Sequence, residues 1–432
     1  MRINADNYTV FGNSPIHCRA ELSFKPKKIT AYADEVPISV IKQNGSYYIV
    51  YYPKKFGDIR LTVLADGIHT YAEFYHGTEP DVLMKKRLYF IAEKQQYKRA
   101  DSSLYGAYLV YNNVKKYPIF DSSLRNHNVC RERVEMALLM CHWLQKNGDA
   151  FLQDSLNKFI AFAPSGFFEP KTGEVFDGIG KNREFVRLYN APWVTMLLAK
   201  MYNLTDDGKH LEYCIKCLRF YYGGGGYKFY PNAFSMLLIY SVFKKAKMTA
   251  KVDEIFGHLK KHADNIARNG LSYPKHEVNY EQTILSPAVT ILSEFAVISG
   301  DNFYAEEAEK HIKLLERFNG RQPICHMNET PIRYWDDFWF VDGRQQGDTF
   351  PHYCNCLTAR AFLDYYNIGG GEKYKSAAAE CIRNCFCLFN ERGEGSCAYV
   401  YPYKVNGNKG QYYDSWANDQ DFALYYYLTV NN

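Results

Sequence analysis

Twelve segments of helical periodicity follow one another between residues 81 and 428, and the connections between them alternate between short plain turns and long polar ones. The segments cover 81–97, 130–146, 150–162, 190–202, 209–221, 232–247, 251–268, 283–299, 303–318, 354–366, 372–389 and 417–428. Twelve helices pair into six hairpins, and six hairpins close a ring when the first helix lies beside the last. The short connections, such as Asn147-Gly148-Asp149, Thr205-Asp206-Asp207-Gly208 and Gly300-Asp301-Asn302, use Gly to end one helix and Asp to begin the next. The long ones include FDGIGKNREFVRLYNAPW, LSYPKHEVNYEQT and TPIRYWDDFWFVDGRQQGDTFPHYCN. A rigid scaffold carries its functional groups on long loops and element ends, so one face of the ring is the expected site.

Before residue 80 the pattern changes to short β-rich runs, among them KKITAYA, ISVIKQNGSYYIVYY and DIRLTVLA. Asn44-Gly45 marks a hairpin, because both turn positions tolerate positive φ. The predicted fold is mainly α: an (α/α)6 toroid of six helical hairpins over 80–432, preceded by a small Ig-like β-sandwich module over 1–79. The module carries no clustered acid, base and aromatic set, which leaves the chemistry to the toroid.

Composition narrows the function. The chain has 432 residues with 47% hydrophobic and 23% charged, enough to bury a sizeable core without bulk disorder. Aromatic residues reach 16%, mostly Tyr and Phe, as a cleft that stacks rings on sugars requires. A net charge of +5 with no basic block gives no support for a nucleic-acid partner. No stretch reads as long and apolar enough to cross a bilayer, and the amino terminus lacks an apolar run, so the expected location is cytoplasmic without a membrane partner. The 12 cysteines fall partly inside helical patterns and are expected to be reduced and buried.

The densest constellation joins Tyr334, Trp335, Asp336, Asp337 and Trp339 to Arg344, Asp348 and His352. It puts carboxylates, a guanidinium able to grip an anion, an imidazole and stacking rings within twenty residues. One of its acids could instead cap a helix, and one Trp could anchor the loop. His276, Glu277, Tyr280 and Glu281 precede another helix, where the free amides favour Glu281 as an anionic base or a hydroxyl acceptor. Asp414, Asp419 and Asp421 crowd the start of the last helix, where capping needs only one such residue, and Asp419 and Asp421 would orient water, bind hydroxyls or hold arginines. Asn126, His127, Asn128 and Arg131, with Arg187, Tyr189 and Asn190, add cations and amides from two further loops. Gly223 to Gly226 lacks the Gly-Lys-Ser/Thr of a phosphate loop. His352, Cys354 and Cys356 lack a second ligand pair, so neither zinc nor any other metal or cofactor is expected.

The β-rich start, the six hairpins, and the motifs HEVNYEQT, GDTFPHY and DSWANDQDFALYYYL together resemble the six-hairpin glycosidase superfamily. Within it the chain looks most like uronate-processing exo-β-glucuronidases of gut-bacterial polysaccharide systems. The Trp-rich signature of the related unsaturated-glucuronyl hydrolases is missing. The resemblance implies removal of a terminal uronic acid from an oligosaccharide by inverting hydrolysis, with an acid and a base roughly 6.5 to 9.5 Å apart. Asp348 or Asp337 would form that pair with Glu281. Arg344, Arg131, Arg187 and His352 would recognise the uronate carboxylate. Tyr334, Trp335, Trp339, Tyr280 and Trp416 would shape the sugar pocket, with Tyr189, Asn190 and Asp419 around it. Homo-oligomerisation is left open. A competing chemistry is lysis, in which a Tyr or His removes the proton beside a uronate carboxylate. A third reading, a glycan-binding protein without catalysis, would tolerate loss of the acids.

Overall fold

A computed structural model describes the chain except residues 120–129, 177–180, 182–187, 233, 276–281, 337–345, 353, 402–403, 406, 411, 418–419 and 431–432; for 130–133, 334–336, 346–347, 405 and 408–409 it describes the backbone alone. Nine strands come first: β1 (Arg2–Ala5), β2 (Thr9–Phe11), β3 (Ile16–Glu21), β4 (Ile29–Ala33), β5 (Val36–Ile38), β6 (Ile41–Gln43), β7 (Ser46–Tyr51), β8 (Gly57–Ala65) and β9 (Ile68–Gly77). They build one sheet in the order β1-β3-β7-β6 and another in the order β2-β9-β8-β4-β5. Buried and exposed residues alternate along β3 and β8, the period of a half-buried strand. Their inward residues, including Ile16, Ile49, Leu61, Val63 and Phe74, share one core. Asn44 and Gly45 adopt φ of 50° and 78° and turn β6 into β7, as expected of that pair.

Twelve α-helices follow among the described residues: α1 (Pro80–Phe90), α2 (Cys130–Leu144), α3 (Ala150–Gly166), α4 (Ala191–Thr205), α5 (Gly208–Gly223) and α6 (Met236–Lys245), then α7 (Thr249–Asn269), α8 (Gln282–Ser299), α9 (Asn302–Leu315), α10 (Asn355–Asn367), α11 (Glu372–Cys385) and α12 (Asp421–Val430). The even-numbered helices touch in sequence, α2 to α4, α6, α8, α10, α12 and back to α2, and so form a closed inner ring. Outer helices pack behind them as hairpin partners: α3 on α2, α5 on α4, α7 on α6, α9 on α8 and α11 on α10. An inner helix meets neighbours on several sides, so every residue of α8 from Ile284 to Ala296 is buried, whereas outer α7 and α11 bury one stripe. The expectation that no stretch could span a bilayer is corrected here, because α8 is long and apolar enough by composition. Its apolar surface is covered by the ring instead.

The short turns work by backbone geometry and capping. Asp206, Gly300 and Gly369 take positive φ at the ends of inner helices. Asp149, Asp207 and Asp301 then accept backbone N–H bonds in the first turns of α3, α5 and α9, at 3.1, 2.9 and 2.9 Å. Asp149 also accepts the Tyr89 hydroxyl at 2.9 Å. Asp149→Ala is therefore expected to cost about 1 kcal/mol or somewhat more, read as a lowered urea midpoint with unchanged slope.

The ring closes through Arg87 on α1 and Asp421 on α12. The pair is bidentate, at 2.7 and 2.9 Å, and both side chains are fully buried. Arg87 also donates to the Gly393 carbonyl and to Gln95. The first helix is shorter than expected over 81–97: α1 stops at Phe90 and continues as a π turn over Ile91–Gln95.

Short strands occupy several connections: β10 (Val110–Asn112), β11 (Tyr117–Ile119), β12 (Arg333–Asp336), β13 (Gln346–His352), β14 (Ala398–Val400), β15 (Lys404–Val405), β16 (Asn408–Lys409), β17 (Tyr412–Tyr413) and β18 (Trp416–Ala417). Strands β12-β13-β14-β17 make one sheet and β11-β10-β18 another. Ala417, expected to begin the last helix, and Trp416 before it pair instead with Tyr111 and Asn112 of β10.

The module is bound to the toroid by specific contacts. Thr9 donates to Asn384 at 2.8 Å, and Glu73 exchanges backbone bonds with the 323–325 segment at 2.8 and 2.9 Å. Tyr413 donates to Asp58 at 3.2 Å and lies 2.9 Å from His326 Nε2, while the Tyr399 ring stacks on the His326 imidazole at 3.9 Å.

Candidate functional site

The sheet β12-β13-β14-β17 connects α9 to α10 and the end of α11 to α12, and lies where α8 and α10 begin. Buried polar residues hold it there. Gln282, at the start of α8, donates to the Ile332 carbonyl at 3.3 Å and accepts from Thr358 of α10 at 3.0 Å. Asn355 donates to the Pro331 carbonyl at 2.6 Å, and Ser286 meets Thr358 at 2.8 Å. Arg333 reaches Thr283 at 3.4 Å. The motifs around 282 and 352 are thus physically joined through residues that sequence reading passed over. Asn355 and Thr358 carry no charge and sit inside a helical pattern, and Gln282 closes the HEVNYEQ motif without a charge of its own, so no role was assigned to any of them.

Asp348 occupies the middle of β13, paired in register with Tyr334, and its carbonyl accepts the Tyr401 amide at 3.2 Å. Alternation puts it on the face opposite Thr349, which is fully buried and donates to the Arg333 carbonyl at 2.9 Å. Asp348 is half-buried, and burial raises its carboxyl pKa above the ordinary 3.8. The raised value means that folding takes up a proton in the interval above 3.8, so this group makes the fold less stable as pH rises through that interval. Asp348→Asn is expected to remove that loss. The difference in thermal midpoint, Asp348→Asn minus wild type, should grow as pH rises from about 4; a shrinking difference would refute the assignment.

The other expected residues are distributed as follows. Tyr189 is half-buried, directly before Asn190, the buried N-cap residue of α4, and its ring meets Phe229 edge-on at 6.2 Å. Two long connections therefore touch there. His352 is fully buried at the end of β13, where Nδ1 accepts the Cys354 amide at 3.3 Å and Nε2 lies 3.7 Å from the Cys397 thiol. Trp416 packs with Val110 and Ile119 at 3% exposure. In this structure neither of these two side chains reaches solvent. Tyr334 and Trp335 lie on β12 and Arg131 on α2, each described by backbone alone. Glu281, Asp337, Arg187, Tyr280, Arg344, Trp339 and Asp419 lie outside the described residues. Asp421, expected to bind hydroxyls, orient water or hold an arginine, holds Arg87.

A second charged cluster lies toward the C-terminal ends of the inner helices. Glu294 pairs with Arg360 and accepts Ser235 at 3.0 Å, and Arg360 contacts Asp364 at 3.4 Å. Lys200 sits 2.9 Å from His142, and burial holds the two down to about 8 and about 3.

Asp58, Cys325 and His326 are close enough together to suggest a metal site. The imidazole, however, faces Cys325 with Nδ1, at 3.6 Å, and Asp58 with Nε2, at 3.2 Å. One metal ion uses a single imidazole nitrogen at about 2 Å, so this arrangement suits a hydrogen-bonded hub and not a tetrahedral centre.

No protein-family model and no curated protein matches the chain. Solved structures do. A polysaccharide lyase shares 30% identity over the whole chain with a TM-score of 0.93, and the chain spans 64% of that protein's length. A family 76 glycoside hydrolase from a bovine Bacteroides thetaiotaomicron strain matches at TM-score 0.53 and 8% identity, over 100% of this chain and 98% of that one. A cellobiose 2-epimerase from Bacillus thermoamylovorans matches at 0.55 and 10%, over 81% and 97%. The chain thus has the six-hairpin toroid fold found in several kinds of carbohydrate-active enzyme, with a β module ahead of it.

Proposed function

We propose that this protein cleaves a uronate-containing glycan by β-elimination. The observation that carries the reading is the full-length likeness, at 30% identity and TM-score 0.93, to a polysaccharide lyase. Elimination needs a base for the proton beside the uronate carboxylate, a cation to neutralise that carboxylate, and a proton for the departing glycosidic oxygen. Tyr189 suits the base: its half-buried phenol sits on a long connection directly before the N-cap of an inner helix. Arg131, Arg187 and Arg344 are the cations assigned to the carboxylate.

One observation favours a second reading, hydrolysis of a terminal uronic acid. Burial raises the Asp348 carboxyl, as a general acid requires, and Glu281 or Asp337 would then activate water. Mass spectrometry of products formed in oxygen-18 water separates the two. Elimination is expected to leave an ultraviolet-absorbing unsaturated uronate without solvent oxygen. A saturated product carrying the label would replace the first reading by the second.

A further inference from the structure

Outside the ring, a groove of about 970 Å3 runs between β1, β3 and β7 of the module and the outer helix α11 with the 321–329 segment. Clefts that enclose small ligands measure about 300 to 1,000 Å3. The groove shares none of its lining with the face around Asp348 and Tyr189.

Its chemistry is mixed in a directed way. Arg321 is exposed on one wall, and no hydrogen bond or ion pair among the described residues holds its guanidinium. The other cations are already engaged: Arg2 and Arg19 by Glu21, Lys373 by Glu316. Glu380 and Glu329 also line the groove. Glu380 accepts from Asn328 at 3.2 Å, and Glu329 from Asn319 at 2.9 Å. Burial pushes Glu380 up to about 7 and raises Glu329, so a carboxyl here can donate as well as accept near neutral pH. Half-buried Tyr48 lends an aromatic wall. An exposed guanidinium, two carboxyls and a ring match an acidic monosaccharide: a carboxylate, several hydroxyls and an apolar face.

We propose that this groove is a second glycan site, holding an acidic sugar residue of the polymer with its carboxylate on Arg321 and its hydroxyls on Glu380 and Glu329. It rests on the reading that the substrate is a uronate-containing polymer. Such a site anchors the chain while the ring works elsewhere along it, and the tether raises the local concentration of cleavable linkages.

The test uses the full protein in native gels containing polygalacturonate, alginate, hyaluronan or heparin, with dextran as the neutral control. Wild type is expected to be retarded by an acidic polymer and not by dextran. Arg321→Ala is expected to weaken that retardation about tenfold, with an unchanged thermal midpoint and unchanged kcat/KM on a short oligosaccharide. Glu380→Gln keeps shape but cannot ionise, and should alter how retardation varies between about pH 6 and about pH 8. Equal retardation of wild type and Arg321→Ala, or no retardation of wild type by any acidic polymer, overturns the site. Product formation on the same polymers is scored separately. An Arg321-dependent retardation without any cleavage would sink the catalytic reading and leave the groove standing.

Discussion

Replacing Asp421 by Asn is expected to destabilise the protein by about 3 to 5 kcal/mol, a large share of what holds a domain together. The substitution leaves Arg87 buried without its counter-charge, because the amide is neutral and puts an NH2 in place of one of the two oxygens that grip its guanidinium at 2.7 and 2.9 Å. No water reaches either side chain to compensate. The damage falls on the seam where α1 meets α12, so unfolding should begin there, with hydrogen exchange in both helices accelerating before that in α4 or α8. A double variant, Arg87→Met with Asp421→Leu, removes both charges at similar volume and should recover most of the loss. Chemical denaturation followed by circular dichroism measures both; a single variant within about 1 kcal/mol of wild type would show that the seam does not depend on this pair.

Turnover gives the second large effect. Tyr189→Phe keeps the ring against Phe229 and removes only the hydroxyl, and is expected to lower kcat by about 10² to 10⁴ with the fold intact. Asp348→Asn is expected to keep turnover within about tenfold of wild type, because elimination requires no carboxylic acid at that position. The opposite pattern, collapse at Asp348 and survival at Tyr189, would move the chemistry to hydrolysis. Steady-state rates on the cleaved polymer, together with the thermal midpoint of each variant, decide between them.

The helices were legible because apolar residues recur at helical spacing within each, a local signal repeated twelve times. The ring itself was legible from the alternation of connections, since only a consistent face explains why every second loop is plain. What local pattern could not supply was pairing at a distance. Trp416 and Ala417 lie only a few residues before α12, yet they hydrogen-bond as a strand to β10, some three hundred residues earlier in the chain. Arg87 and Asp421 stand 334 residues apart, so an acid suited to hold an arginine could be recognised and its partner could not. Similarly, Tyr413, His326 and Asp58 come from three distant segments and meet only after the module docks. At the site, Asp348 stood out by charge and context. Asn355 and Thr358, which with Gln282 fix the sheet beneath it, looked like ordinary helix residues.

The eleven cysteines with described side chains are all buried. Their positions fall into groups: Cys18 in the module, Cys325 and Cys387 in the core where module and toroid meet, and the others, Cys397 apart, in the ring. A thiol becomes reactive only when the structure around it opens, so each group acts as a clock on a different opening event. Mass-resolved alkylation over time would time the module, the junction and the ring separately in one native sample. Should the module detach while the toroid stays closed, Cys325 and Cys387 would be modified well before Cys214 or Cys356.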